Sequence, residues 1–119
     1  MEHEDAMQRA SALAGAVEKA LAAIPAGKLR LDVSACADAP KPDGSRDISI
    51  CIRRFPRDDG IDIMALLPVA EAGADPAKTS AIALARFRTE LGSLIFAAEE
   101  SGDTKRATKL RKLDAAAAG

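Results

Sequence analysis

The chain has 119 residues, of which 48% are hydrophobic and 3% aromatic, and its formal net charge is −1. These values predict a single globular domain with an aliphatic core, and they exclude a bulk electrostatic field that would select nucleic acid or anionic membranes. The acidic start and the absence of an apolar run near ~18 residues exclude a secretory signal and a membrane span, so a soluble, cytoplasmic protein is expected.

Residues 5–24 have the periodicity of an amphipathic helix. Apolar residues recur at spacings of three and four from Ala6 to Ile24, which places them on one helical face. Acidic residues at the N-terminal end suit the positive end of the helix dipole. The segment Pro25-Ala26-Gly27 predicts where this helix ends.

Three further segments, 28–37, 47–55 and 61–67, alternate between apolar and polar residues. Alternation with a period of two is typical of half-buried strands. The proline-containing loop 38–46 separates the first two strands, and its Asp43-Gly44 pair predicts a two-residue hairpin turn. A second turn precedes the third strand.

The last third of the chain is predicted to be helical. Asp75 as N-cap and Pro76 at the first helical position begin a helix that runs to about Glu99. This helix has apolar residues on two opposite sides, which indicates that both sides are covered by other elements or by a partner. A final helix is expected over 104–116.

The order of elements predicts an α+β fold in one domain, residues 1–119. An N-terminal helix, a three-stranded antiparallel β-meander, a long helix and a short C-terminal helix would pack with the helices on one sheet face. Residues 1–4 and 115–119 are expected to be flexible, and 38–46 to form an exposed hairpin loop.

The chain's two cysteines, Cys36 and Cys51, lie at the same parity on the first two predicted strands. A turn centred on Asp43-Gly44 would place them directly opposite each other, with both thiols on the face away from the helices. Three interpretations remain open: two small, mildly apolar residues without a role, a redox pair, or half of a metal site. A zinc site needs about four ligands, and only His3 is left as a further nitrogen or sulfur ligand.

Residues suited to catalysis are scarce. His3 is the sole histidine and lies near the terminus, where disorder is common. Asp58, Asp59 and Asp62 cluster near the second turn, but Asp-Asp-Gly is ordinary turn chemistry and the EF-hand spacing fails. No catalytic residue, metal ligand or cofactor site is therefore predicted, and the protein is expected not to be an enzyme.

Apolar residues on surfaces that the predicted fold does not need to bury indicate a binding protein. We expect an adaptor, an inhibitor or an assembly factor that forms a homodimer or binds another protein, and that does not bind membranes. The predicted partner-binding residues are Phe55, Met64, Leu66, Ile82, Gly92 and Phe96.

An alternative hypothesis is a nucleic-acid-binding accessory protein. Two basic segments, 53–57 and 105–112, could contact a phosphate backbone. A solvated charged helix explains the second segment equally well. The residues of the alternative site are Arg53, Arg57, Lys105, Arg106, Lys109 and Lys112.

Overall fold

The computed structural model describes residues 2–22, 29–37, 39–44, 47–69 and 75–118, without the side chains of 2–6 and 76. The elements in chain order are α1 (Glu2–Ala22), β1 (Asp32–Ala37), β2 (Ile48–Arg54), β3 (Ile63–Pro68), α2 (Pro76–Glu100) and α3 (Thr104–Ala118). The α+β fold predicted from the sequence is confirmed. Among the described helices, none combines the length and apolar composition that a membrane crossing requires.

The three strands form one open antiparallel sheet in the order β1-β2-β3. Alternate residues of each strand, such as Val33, Ile52 and Ala65, are buried and join a single core with both α1 and α2. We call this side the inner face. The outer sheet face has Ser34, Cys36, Ser49, Cys51, Arg53, Met64 and Leu66.

Helix α1 starts at Glu2, earlier than predicted, and packs on β1, β2 and α2. Ala10, Ala14, Val17 and Leu21 form its buried face. Its predicted stop at Pro25-Ala26-Gly27 lies outside the described residues.

Strand β1 begins at Asp32, four residues later than the alternation predicts. The reason is Arg30, which has a φ of 53°. This left-handed conformation interrupts extended backbone, and residues other than glycine rarely adopt it. Leu29 and Leu31 are nevertheless buried, because the core requires apolar side chains at this point whatever the backbone conformation.

The pairing of β1 with β2 differs from the sequence prediction by two residues. Cys36 lies opposite Ser49, and Cys51 lies opposite Ser34. The hairpin loop turns through Lys41 to Gly44, with the Gly44 N–H donating to the Lys41 carbonyl at 2.8 Å. The centre of that turn is Pro42-Asp43, one residue earlier than Asp43-Gly44, and this displacement moves every cross-strand partner by two.

A shift of two preserves the face of each side chain, because side chains alternate with a period of two. Both cysteines therefore lie on the outer sheet face, as predicted, but they are diagonal neighbours. Pro42 suits the second position of the turn because its ring fixes φ near −65°. Gly44 has a φ of 85°, which favours glycine as the chain leaves the turn.

A side chain of α1 caps the free edge of β1. The Val33 N–H donates to Glu18 Oε2 at 2.9 Å. In an antiparallel edge strand, the amides of alternate residues point away from the neighbouring strand. The bond to Glu18 shows that Val33 is one of these, so Ser34 and Cys36 are the residues that bond to β2.

Helix α2 is the central helix of the fold. Asp75 caps it by accepting a hydrogen bond from the Ala77 N–H at 3.0 Å, as the sequence predicts. Ala83, Phe87, Leu91 and Ala98 form its buried face, which packs on β3 and α1.

Helix α3 packs along α2. It ends at Ala118, two residues beyond its predicted end, because Ala117 is buried with Ala107 and Leu110. The Arg88–Asp114 pair, 3.0 Å apart, and the Arg111–Glu99 pair also join the two helices.

The pairing of β1 with β2 can be tested by disulfide trapping in a background with both native cysteines replaced by serine. Ala35 lies opposite Ile50, so Ala35→Cys/Ile50→Cys should form an intramolecular disulfide in oxidised glutathione. The matched pair Ala35→Cys/Ile52→Cys is the one that a turn at Asp43-Gly44 would favour. Both isoleucines are fully buried. Mass spectrometry of trypsin digests measures the bridge, and preferential bridging of the second pair would contradict the observed pairing.

Candidate protein-interaction surfaces

The outer sheet face exposes large apolar side chains on β3. Met64 is 50% exposed and Leu66 is 43% exposed. They lie opposite Arg53 and Cys51 of β2, respectively. Both faces of β3 thus have apolar side chains, whereas α1 and α2 pack on the inner face. The described part of the chain therefore leaves this apolar surface uncovered.

Phe55, the residue after β2, extends the same surface. Its ring is 49% exposed and lies under the Arg53 guanidinium, with 4.3 Å from the Arg53 Cζ to the ring centroid. Asp62 fixes that guanidinium by accepting hydrogen bonds from Nε at 3.1 Å and Nη2 at 2.7 Å. The bidentate bonds to Arg53 lower the pKa of Asp62. Arginine and phenylalanine are thus held as one rigid unit.

The charges around this surface are balanced. Three arginines and three aspartates lie at the end of the sheet nearest Phe55: Arg30, Arg53, Arg57, Asp32, Asp58 and Asp62. A surface without net charge neither attracts a strongly charged partner nor repels a copy of itself.

The second apolar surface is the outer stripe of α2, which consists of Ile82, Ala85, Gly92 and Phe96. Phe96 is 65% exposed and Ile82 is 37% exposed. A Cβ added at Gly92 would meet no atom within 4 Å. Neither α1 nor α3 covers this stripe, although the sequence leaves open that the two terminal helices do so.

The predicted partner-binding residues therefore form two surfaces and not one. The buried face of α2 packs towards the inner face of the sheet, so its outer stripe points away from the sheet. Phe55, Met64 and Leu66 point in the opposite direction. No single contact with one partner face can include all six residues.

The predicted acidic cluster at the second turn is a structural ion pair. Arg54 is 3% exposed, and its Nη1 and Nη2 donate to Asp59 Oδ1 at 3.2 Å and Oδ2 at 2.6 Å. Nη1 also donates to the Ile61 carbonyl at 2.7 Å, and Asp59 Oδ1 accepts from the Ile61 N–H at 3.0 Å. The hydrogen bond from Arg54 is the main cause that lowers the pKa of Asp59 to about 2.

Sequence reasoning missed Arg54, although the strand pattern contains the signal for it. Arg54 has the same parity as the inward residues Ile50 and Ile52, so its guanidinium had to be buried and needed a carboxylate. The closest acidic residues along the chain are Asp58 and Asp59, in the turn. Asp59 serves as the partner, while Asp58 remains exposed.

The six residues of the alternative nucleic-acid site differ in their exposure and in their partners within the chain. Arg53 pairs with Asp62, and Arg57 Nη2 donates to the Leu29 carbonyl at 2.9 Å. Both guanidinium groups thus hold the end of the sheet together. Lys105, Lys109 and Lys112 lie on the side of α3 away from α2 and are exposed, whereas Arg106 is partly buried.

Cys36 and Cys51 are not joined by a disulfide, and both are partly exposed. Burial raises the pKa of Cys51, and the nearness of Cys36 raises it further, while Arg53 acts in the opposite direction. Among the described side chains, no group of three or more His, Cys, Asp or Glu is arranged to hold a metal ion. The side chain of His3 lies outside the described residues.

Comparison of the chain with protein-family models, curated proteins and solved structures finds no match.

The Arg54–Asp59 ion pair can be tested by the variant Asp59→Asn. The variant leaves a buried guanidinium without its carboxylate, so the free energy of unfolding should fall by about 3 kcal/mol at neutral pH. Urea denaturation measures this change. The matched variant Asp58→Asn alters the exposed neighbour and should change the free energy of unfolding by less than ~0.5 kcal/mol.

The same pair predicts a pH dependence. The pKa of Asp59 in the folded chain, about 2, is below its ordinary value of 3.8. The pair's stabilisation, about 2 kcal/mol from this shift, is present above the unfolded pKa and is lost as pH falls from about 4 to about 2. The wild-type chain should lose more stability over this interval than Asp59→Asn. Equal losses would contradict the assignment.

Proposed function

We propose that the chain is a non-enzymatic protein–protein interaction module that forms a homodimer through its outer sheet face. The observation that supports this is the distribution of exposed apolar side chains. In the described part of the chain, five large hydrophobic side chains are exposed, and all five belong to the outer sheet face and the α2 outer stripe. Contiguous apolar surfaces of this kind mark interaction sites in soluble proteins.

The outer sheet face is the better candidate for the first contact. Phe55, Met64 and Leu66 lie close together on a sheet, whereas Ile82 and Phe96 are separated by almost four helical turns. The strands hold the backbone rigid, and Arg53 is already ordered by Asp62. A preordered surface loses little side-chain entropy on association, which favours binding.

A second copy of the chain suits this surface. A two-fold contact requires a self-complementary face, and the three arginines and three aspartates around this surface balance each other. The net charge of the whole chain is −1, so two copies repel each other little. Two cysteines that are not joined by a disulfide fit a reducing compartment such as the cytoplasm.

The α2 outer stripe provides a second contact for another protein. Ala85 and Gly92 allow the backbone of an approaching element to come close to the helix, and Phe96 offers a large apolar anchor. Because this stripe points away from the sheet, it stays accessible when the outer sheet face is covered. A dimer with two such stripes would act as an adaptor or assembly factor.

Sedimentation velocity tests the homodimer at tens of micromolar chain. The wild type should sediment as a dimer, and Leu66→Lys should shift the population to monomer because it places a charge at the centre of the contact. Thr108→Lys adds the same charge on exposed α3 and should leave the dimer intact. A monomeric wild type would refute self-association, and circular dichroism verifies that each variant is folded.

The variant Phe96→Asp tests which of the two surfaces forms the dimer. If the outer sheet face forms the dimer, this variant should remain dimeric, because Phe96 is on the opposite side of the molecule. Its matched control is Ala97→Asp, which adds the same carboxylate at an exposed position one residue along α2. Loss of the dimer in Phe96→Asp alone would assign self-association to the α2 outer stripe and would overturn the assignment to the sheet.

The nucleic-acid alternative is favoured by one observation. Lys105, Lys109 and Lys112 recur at helical spacing on an exposed side of α3, and no ion pair with a described residue engages them. Such a stripe can contact successive phosphates.

Fluorescence anisotropy with a labelled oligonucleotide tests this alternative at two salt concentrations. Phosphate contacts predict binding that weakens steeply with salt, and that weakens further in Lys105→Gln/Lys109→Gln/Lys112→Gln. Lys41→Gln is the control, because Lys41 is paired with Asp47 at 2.9 Å in the hairpin loop. Absence of binding at low salt would eliminate the alternative.

A further inference from the structure

We propose that Cys36 and Cys51 together bind one soft, thiophilic metal ion, with Cu(I) as the representative of this class. The site lies on the outer sheet face. The proposed dimer contact uses the same face, but both ligands belong to one copy, so the monomer is sufficient to form the site.

The strand pairing places the two thiols at a distinctive separation. Ser34 and Cys51 form one cross-strand pair, and Cys36 and Ser49 form the next pair on the same face. The four side chains make a two-by-two block, with the two thiols on one diagonal and the two hydroxyl groups on the other. Diagonal neighbours have their Cα atoms ~7–8 Å apart and their Cβ atoms somewhat closer.

This separation is too long for a disulfide but suits a metal bridge. A disulfide needs Cβ atoms ~3.5–4.5 Å apart. Two metal–sulfur bonds of ~2.3 Å separate the sulfur atoms by up to ~4.6 Å and so reach across a wider gap. The thiols can therefore share an ion while the strands keep their positions.

The backbone at both thiols is held in place. The Val33 N–H bonds to Glu18, so the alternate residues Ser34 and Cys36 are those that bond to β2. β2 is itself paired with β3 on its other side. Sliding the strands to bring the thiols directly opposite each other would break this ladder, which favours the metal bridge over the disulfide.

The number and type of ligands select the metal. Zinc usually takes four ligands, and the described side chains contain no group of three or more suited to a metal. Soft thiolates favour Cu(I), which accepts two ligands. Binding breaks two S–H bonds, forms two S–Cu bonds and releases two protons to the solvent.

The repulsion between two thiolates favours a bound cation between them. Two thiolates at neighbouring positions on one sheet face repel each other. A bound cation between them relieves that repulsion. Because protons compete with the ion, the apparent affinity for Cu(I) should increase as pH rises from about 6 to about 8.

Anaerobic titration with Cu(I), in competition with a coloured Cu(I) chelator, tests the site in the reduced full-length chain. One ion should bind per chain. Cys36→Ser and Cys51→Ser should each weaken binding by about a hundredfold or more, because the remaining thiol loses its chelating partner. Ser34→Ala changes the other diagonal of the block and should bind as the wild type does.

Either of two results would overturn the proposal: wild-type affinity in a single-cysteine variant, or one ion per two chains at all concentrations. Alkylation of the wild-type chain by N-ethylmaleimide gives a readout that needs no variant. One equivalent of Cu(I) should protect both thiols together. Protection of only one thiol would also refute a shared ion, and rapid intramolecular disulfide formation in oxidised glutathione would contradict the diagonal separation of the thiols on which the proposal rests.

Discussion

The alternation of side chains along β2 determines how the other strands and the helices are arranged. This strand is paired on both sides, so the face of each of its residues determines the faces of its partners on β1 and β3. Ile50 and Ile52 point into the core that α1 and α2 complete. Cys51 and Arg53 consequently point outward, and so do Leu66 and Met64 beside them. The apolar character of the outer sheet face follows from β3, whose outward positions hold large hydrophobic residues.

The type of each secondary-structure element and the face on which its residues lie were predicted well from the sequence, because both follow from local periodicity. The helix start at Asp75-Pro76 and the single helix-covered face are examples. The predicted pairing of β1 with β2 was wrong by two residues, because the proline-containing loop has two adjacent positions at which the turn can be centred. The choice of Pro42-Asp43 depends on how the whole loop closes. The predicted start of β1 was wrong because no rule based on sequence pattern anticipates an arginine with a left-handed backbone conformation.

The candidate surfaces were predictable one residue at a time but not as a set. Exposed apolar positions can be inferred from parity and helical spacing, and the five large side chains are indeed exposed. Their division into two opposite surfaces depends on which side of α2 faces the sheet, which is a tertiary property. Arg54 was overlooked because charged residues in a turn-proximal segment suggest solvent exposure, whereas this guanidinium is buried against Asp59.

The carboxylate of Glu18 on the Val33 amide limits how sheets of different copies can merge. Addition of a strand at β1 would have to displace this bond and leave a carboxylate beside the new backbone. Continuous growth of a sheet from copy to copy needs two open edges in every copy. The Glu18 carboxylate on the Val33 amide therefore disfavours pairing at the β1 edge and, with it, the growth of a fibrous aggregate.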